Sequence, residues 1–400
     1  MTSQKPGGER EKVASKLPAA LRQELKTRAA QLGIDMQVAV TQAVEQWRAR
    51  PADSNPTIDT SGAESWNTHL PAGLYEAFKN DCDNRDGTSY VQGFAQAVRA
   101  WIDSHNVSLA ELTIPRYTRR LVVCNQKGGV GKTTIAAGTG QAIALGLPAT
   151  TGASKLPALP GLRTLLVDYD PQGHLTSQLG VKQIPPGEES LVTHMVDRDR
   201  VAGALLDQVV EIESDHFEGR LSLLPSSFDA FLLDSRLGSV RGPRETSLQR
   251  ALAPLEEHFD VIVIDAPPNL GLAMDAGLYY GHRRKNEAAG ASGVLVPVEA
   301  EDSSADAYAM LDSQIRTVSL DYEVDIDRLG LVVNKFDKRK GYVATHSLSE
   351  WESLGTPPVV AIVPDLKEQR ESVHVKQPLL MYAPTSIQAQ RMREIRRRLA

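Results

Sequence analysis

Apolar positions divide the chain into two unlike patterns. From Leu121 onward, short apolar runs alternate with stretches of helical periodicity: LVVCN, TLLVDYD, LSLLP, VIVIDAPP, GVLVPVEA, LGLVVNK and PVVAIVP. Such short, uninterrupted runs suit strands buried on both faces of a parallel sheet. Their alternation with helical segments predicts a doubly wound, mostly parallel α/β domain over residues 121–400. Before residue 110 the pattern is mostly helical and repeats. Leu17-Pro18-Ala19 returns as Leu70-Pro71-Ala72, and Leu21, Leu25 and Ala29 return as Leu74, Phe78 and Cys82. The segment from Val40 to Trp47 is echoed from Phe94 to Trp101. Each copy predicts a short strand ending in Leu-Pro, a helix whose first turn holds that proline, a turn at Gly33 or Gly87, and a second helix.

Punctuation supports this division. A polar, turn-rich stretch spans 51–62, a linker is expected over 111–120, and a Pro/Gly-rich loop is inserted at 147–162. Strand alternation places Val13, Ser15, Leu17, Trp66, Thr68 and Leu70 inward, and Lys12, Ala14, Lys16, Ser65, Asn67 and His69 outward.

Composition narrows the classes. A chain of 400 residues, 41% hydrophobic and 24% charged, reads as a globular protein of two or three domains. The net charge of -6 leaves nucleic-acid contact to local patches. The two repeats differ here: residues 1–50 carry nine Lys/Arg against five Asp/Glu, and residues 51–115 three against nine. Two cysteines, Cys82 and Cys124, cannot build a four-cysteine metal or iron–sulfur site within one chain. The polar N-terminus and the absence of a long apolar run lead to the expectation of a cytoplasmic protein without a membrane span.

The densest chemistry lies in Asn125-Gln126-Lys127-Gly128-Gly129-Val130-Gly131-Lys132-Thr133-Thr134, after an apolar strand and before a helical run. Glycines let backbone N–H groups turn toward phosphate oxygens, and the following helix offers its positive end. Lys132 adds a point charge at the β/γ-phosphates, and the Thr133 hydroxyl can ligate Mg²⁺. The general phosphate-loop pattern has glycine where Gln126 stands, and leaves the Lys127 position unspecified. This K-G-G-V-G-K-T-T string resembles the deviant Walker A loop of ParA- and MinD-like ATPases. The resemblance implies ATP and Mg²⁺ as cofactors, with Lys127 reaching a partner subunit's nucleotide in an ATP-dependent homodimer.

Two further strings extend the resemblance. Asp168-Tyr169-Asp170-Pro171-Gln172-Gly173 is similar to the family's switch I, which implies a water-orienting Asp170 and an Asp168 that supports the metal shell. Val261 to Pro268 is similar to Walker B running into switch II, with Asp265 at the metal. Asn334-Lys335-Phe336-Asp337 matches the guanine-reading N-K-x-D of Ras-like GTPases. ParA-type proteins keep such a string while using ATP, so Asn334 with Pro364 and Asp365 is expected around adenine.

Each N-terminal repeat resembles a ribbon-helix-helix module, which sets a two-stranded ribbon in the DNA major groove. Lys12, Lys16, Asn67 and His69 are then the candidate DNA contacts. A purely helical dimerisation domain is the competing reading, and longer partition ATPases usually carry a helix-turn-helix here. The resemblance also implies nucleoid-associated DNA binding by the ATP dimer; Lys340, Lys367 and Arg370, beside Lys335, Lys338, Arg339 and the C-terminal arginines, are the candidate contacts, which the resemblance does not fix individually. It implies a ParB-like centromere-binding partner that stimulates hydrolysis. The last helical stretch, with Met392, Ile395 and Leu399 on one face, either docks on the domain with its arginines outward or lies on a membrane; docking is expected.

Overall fold

The computed structural model describes residues 10–31, 36–51, 56–85, 88–104, 117–149, 156–201, 203–212, 215–240 and 242–400. The Gly33 and Gly87 turns, most of the expected 111–120 linker and part of the 147–162 loop lie outside these residues. The chain forms two compact units, 1–112 and 113–400.

In the first unit, strand β1 (Arg10–Pro18) is followed by helices α1 (Ala19–Gln31) and α2 (Met36–Ala49). The second half repeats this order as β2 (Ala63–Pro71), α3 (Leu74–Asp83) and α4 (Tyr90–Ser104). Pro18 and Pro71 end the strands rather than enter the first helical turns, a place where a missing N–H costs no ladder bond. The strands pair antiparallel along their whole length, with Lys12 opposite His69, Ala14 opposite Asn67 and Lys16 opposite Ser65. Val13, Leu17, Thr68 and Leu70 are buried, whereas Lys12, Ala14, Lys16, Ser65, Asn67 and His69 are exposed.

Beneath the ribbon the helices share one core around Leu25, Trp47, Phe78, Phe94 and Trp101. The two halves exchange contacts symmetrically. Trp47 Nε1 donates to Gln96 Oε1 and Trp101 Nε1 to Gln42 Oε1, both at 3.1 Å. Each tryptophan thereby satisfies its buried N–H with a glutamine of the other repeat.

In the second unit the sheet order is β10-β9-β8-β3-β7-β4-β6-β5. The strands are β3 (Arg119–Val123), β4 (Thr164–Asp168), β5 (Val210–Glu211), β6 (Leu221–Leu224), β7 (Val261–Asp265), β8 (Gly293–Glu299), β9 (Arg328–Phe336) and β10 (Val359–Pro364). All neighbours run parallel except the short edge strand β5, which sequence reading missed because two exposed residues carry no periodic signal. A hydrophobic core covers each face of the sheet. Helix Lys132–Leu145 and the C-terminal helix Ile387–Arg398 both contribute to one of them.

The C-terminal helix buries Ala389, Met392 and Ile395 completely. A Cβ at Gly138 would lie 2.5 Å from Met392 Cγ, so the missing side chain lets the two helices touch. Not all its arginines face outward: Arg396 is 2% exposed, and burial lowers its pKa to about 10. Among the described residues, no helix is long and apolar enough to cross a membrane.

Candidate functional site

The phosphate loop leaves β3 at the carboxyl end of the sheet, between β7 and β8. Asn125 pins its start, donating from Nδ2 to the Pro297 carbonyl at 2.8 Å and accepting the Lys127 N–H at 3.1 Å. Gly129 and Gly131 adopt left-handed backbone, with φ of 79° and 92°. Side chains at Gly128 and Gly129 would meet only open space, whereas a Cβ at Gly131 would lie 2.0 Å from Asn334 Nδ2. Lys132 opens the following helix and is largely buried, its Nζ donating to the Lys127 carbonyl at 3.2 Å. Burial lowers its pKa, against the pull of Asp265 and Asp170. Val130 is buried, and Thr133 and Thr134 are half-exposed in the first turn.

Asp168 and Asp265 end β4 and β7 in register with one another. Asp265 is fully buried, and neither carboxylate oxygen has a hydrogen-bond partner. Burial and the adjacent Asp168 push its pKa well up, against partial relief from the nearby Thr133 hydroxyl and Lys132. Asp168 Oδ2 accepts both the N–H and the hydroxyl of Thr176, at 2.7 and 2.6 Å, while Oδ1 is unpartnered. Its pKa rises to about 7, chiefly through burial. Asp170 is nearly buried, with Oδ1 accepting the Gln172 N–H at 2.9 Å.

Unpaired buried carboxylate oxygens are costly unless something compensates them. A hard cation fits this all-oxygen set, and Mg²⁺ characteristically takes one or two carboxylates while phosphate and water complete its shell. The described residues contain no group of three or more His, Cys, Asp or Glu able to hold a metal, so by themselves they build no closed cage.

Lys127 is held within its own chain. Its Nζ lies 2.8 Å from Ser303 Oγ, 3.4 Å from Ser304 Oγ and Glu301, and 3.5 Å from Glu299. Lys335, with φ of 52°, donates to the Gly129 carbonyl at 2.5 Å and pairs with Glu299 at 3.1 Å. Lys335 thus turns toward the loop rather than standing as free surface charge. Sequence reasoning missed Glu299, Glu301, Ser303, Ser304 and Thr176. A signal for the acids was present: Glu299 ends, and Glu301 follows, the apolar run that becomes β8, the immediate neighbour of β3.

On the far side of the loop, Asn334 ends up buried on β9 and donates to the Val130 carbonyl at 2.8 Å. Pro364 pairs with Phe336 across β10 and β9, and the Asp365 N–H donates to the Phe336 carbonyl at 3.3 Å. Asp337 is occupied locally, accepting Arg339 Nε and Nη2, both at 2.9 Å. Lys340, Lys367 and Arg370 are exposed but sit within 4 Å of Glu301, Glu371 and Asp365. In the first unit Lys12, Lys16, Asn67 and His69 share the outer face of the ribbon.

A family model described as an AAA domain matches residues 118–327. The chromosome-partitioning ATPase Soj of Thermus thermophilus is 30% identical over 269 residues, 67% of this chain and 90% of its own. An uncharacterized protein of Mycobacterium tuberculosis is 32% identical over 222 residues, 55% of this chain, and the chain spans only 58% of that relative's length. Among solved structures, Cyanothece McdA in complex with ATP superposes with a TM-score of 0.56 at 18% identity, over 71% of this chain and 97% of McdA, a likeness of fold. With its phosphate loop, paired carboxylates and these relatives, the chain belongs to the ParA/Soj family of P-loop ATPases.

Proposed function

We propose that this protein is an ATP-driven DNA-partition switch. Two chains close around two ATP molecules, the closed dimer holds DNA without sequence preference, and hydrolysis stimulated by a ParB-like partner releases it. The observation that carries this reading is the fully buried Asp265 with both oxygens free, beside Thr133, Lys132 and an open glycine cradle. Such an arrangement suits a cation that arrives with a phosphate.

The chain's own groups divide the work. Lys132 and the loop N–H groups would grip the β/γ-phosphates. Thr133 and Asp265, with Asp168 behind them, would hold Mg²⁺, which when bound neutralises charge on the phosphates. Asp170 would orient the attacking water. Lys127, at present held by Ser303 and the two glutamates, would exchange these partners for a partner subunit's phosphates. Adenine is favoured over guanine because Asp337, the residue that would read guanine in N-K-x-D, is occupied by Arg339. DNA held by Lys340, Lys367 and Arg370 would be lost steeply with salt.

The nine-residue ribbon favours a second role, that of reading an operator and repressing transcription, through Lys12, Lys16, Asn67 and His69. Burial of the C-terminal helix's apolar face argues against a membrane-positioning role. Calorimetric titration tests the nucleotide site: Lys132→Ala should lose ATP–Mg²⁺ binding and GTP should bind far more weakly than ATP. Wild-type affinity in the variant would overturn the assignment.

A further inference from the structure

The register of the ribbon carries a consequence for the DNA it would meet. Strand β2 is β1 repeated 53 positions later, so Ala14 and Asn67 are equivalent residues, and they stand directly opposite each other. A pseudo-twofold axis therefore passes between them. It relates Lys12 to Ser65, Ala14 to Asn67 and Lys16 to His69. All six are exposed on one face, and in none of the three pairs are the side chains alike. The buried partners behave differently. The axis exchanges Trp47–Gln96 for Trp101–Gln42, equal in chemistry and in distance. The order of elements and this buried pair are symmetric while the outer surface is not.

Symmetric ribbons built from two identical chains read palindromes, because operator symmetry mirrors protein symmetry. Here both strands come from one chain and pair fully with each other. One end of the ribbon offers Lys12 with His69, the other Lys16 with Ser65. The two lysines lie about 13 Å apart along one strand, near four base-pair steps. Asn67, suited to a bidentate contact with adenine, has only a methyl group as its symmetry mate. Resting on the DNA-reading role proposed above, we infer that a single chain reads a single non-palindromic duplex site, with an Asn67 contact that has no dyad-related counterpart.

The test is selection from a random duplex library by the full-length chain without nucleotide. One enriched motif lacking dyad symmetry is expected, bound by one chain per duplex. Asn67→Ala should weaken binding to it by about 5- to 150-fold and relax preference at one position only. The triple variant Lys12→Ser, Ala14→Asn, Lys16→His makes the outer strands alike at exposed positions, and should convert the enriched motif to a palindrome. A palindromic motif for the unmodified chain, relaxed by Asn67→Ala at two mirrored positions, would overturn the inference while leaving DNA reading intact. No enriched motif at all would overturn both.

Discussion

Gly131 shows how much of this site depends on single atoms. Its φ of 92° lies where side chains are strained, and a Cβ would fall 2.0 Å from the Asn334 amide that holds the loop through Val130. Gly131→Ala should therefore lower ATP affinity by at least tenfold while leaving the sheet folded, read as a calorimetric Kd beside an unchanged far-ultraviolet spectrum. Asp265 makes the opposite point, because the proposed metal role would keep a carboxylate where burial disfavours its charged form. Its pKa is raised on folding, so it contributes stability at low pH that is lost as pH climbs above the ordinary carboxylate range. Asp265→Asn should raise the melting midpoint of the nucleotide-free protein by a few degrees at pH 8, and by less at pH 5, while removing Mg²⁺-dependent ATP binding. A variant that melts lower than wild type at pH 8 would show that Asp265 has a stabilising partner.

At the scale of elements, legibility followed how local each signal is. The seven apolar runs became seven strands because burial on both faces keeps most positions of each run apolar, with polar exceptions such as Ser222. The phosphate loop was legible because its glycines, lysines and hydroxyls are contiguous. The ring of groups around Lys127 was not, since Glu299, Glu301, Ser303 and Ser304 reach it only through the pairing of β3 with β8. Thr176 was missed for a different reason: its grip on Asp168 depends on a turn between them rather than on any motif. The C-terminal helix was half legible. Its apolar stripe showed in the spacing of Met392 and Ile395, but burial of Arg396 depends on the surface it meets. Because Met392 fills the space that Gly138 leaves, Met392→Ala should cost about 2–5 kcal/mol, measured by denaturant titration.

For the molecule as a whole, nucleotide would control DNA retention in the proposed switch. Lys127 is held by its own chain's serines and glutamates, and in the proposed switch it would leave them only once ATP draws two chains together. The most direct measurement is retention of the full-length protein on random-sequence DNA with ATP–Mg²⁺, ADP–Mg²⁺ or no nucleotide, for wild type, Asp170→Ala and Lys127→Ala. Wild type should be retained with ATP and released by higher salt or by ADP. Asp170→Ala should stay bound for longer, because the phosphate grip survives while the water loses its orienting carboxylate. Lys127→Ala should bind ATP yet fail to dimerise on DNA, with hydrolysis lowered by orders of magnitude, since a cation supplied in trans is worth up to about 10³–10⁵ in related phosphoryl transfer. Equal retention under all three nucleotide conditions, or a Lys127→Ala chain that behaves as wild type, would contradict the switch.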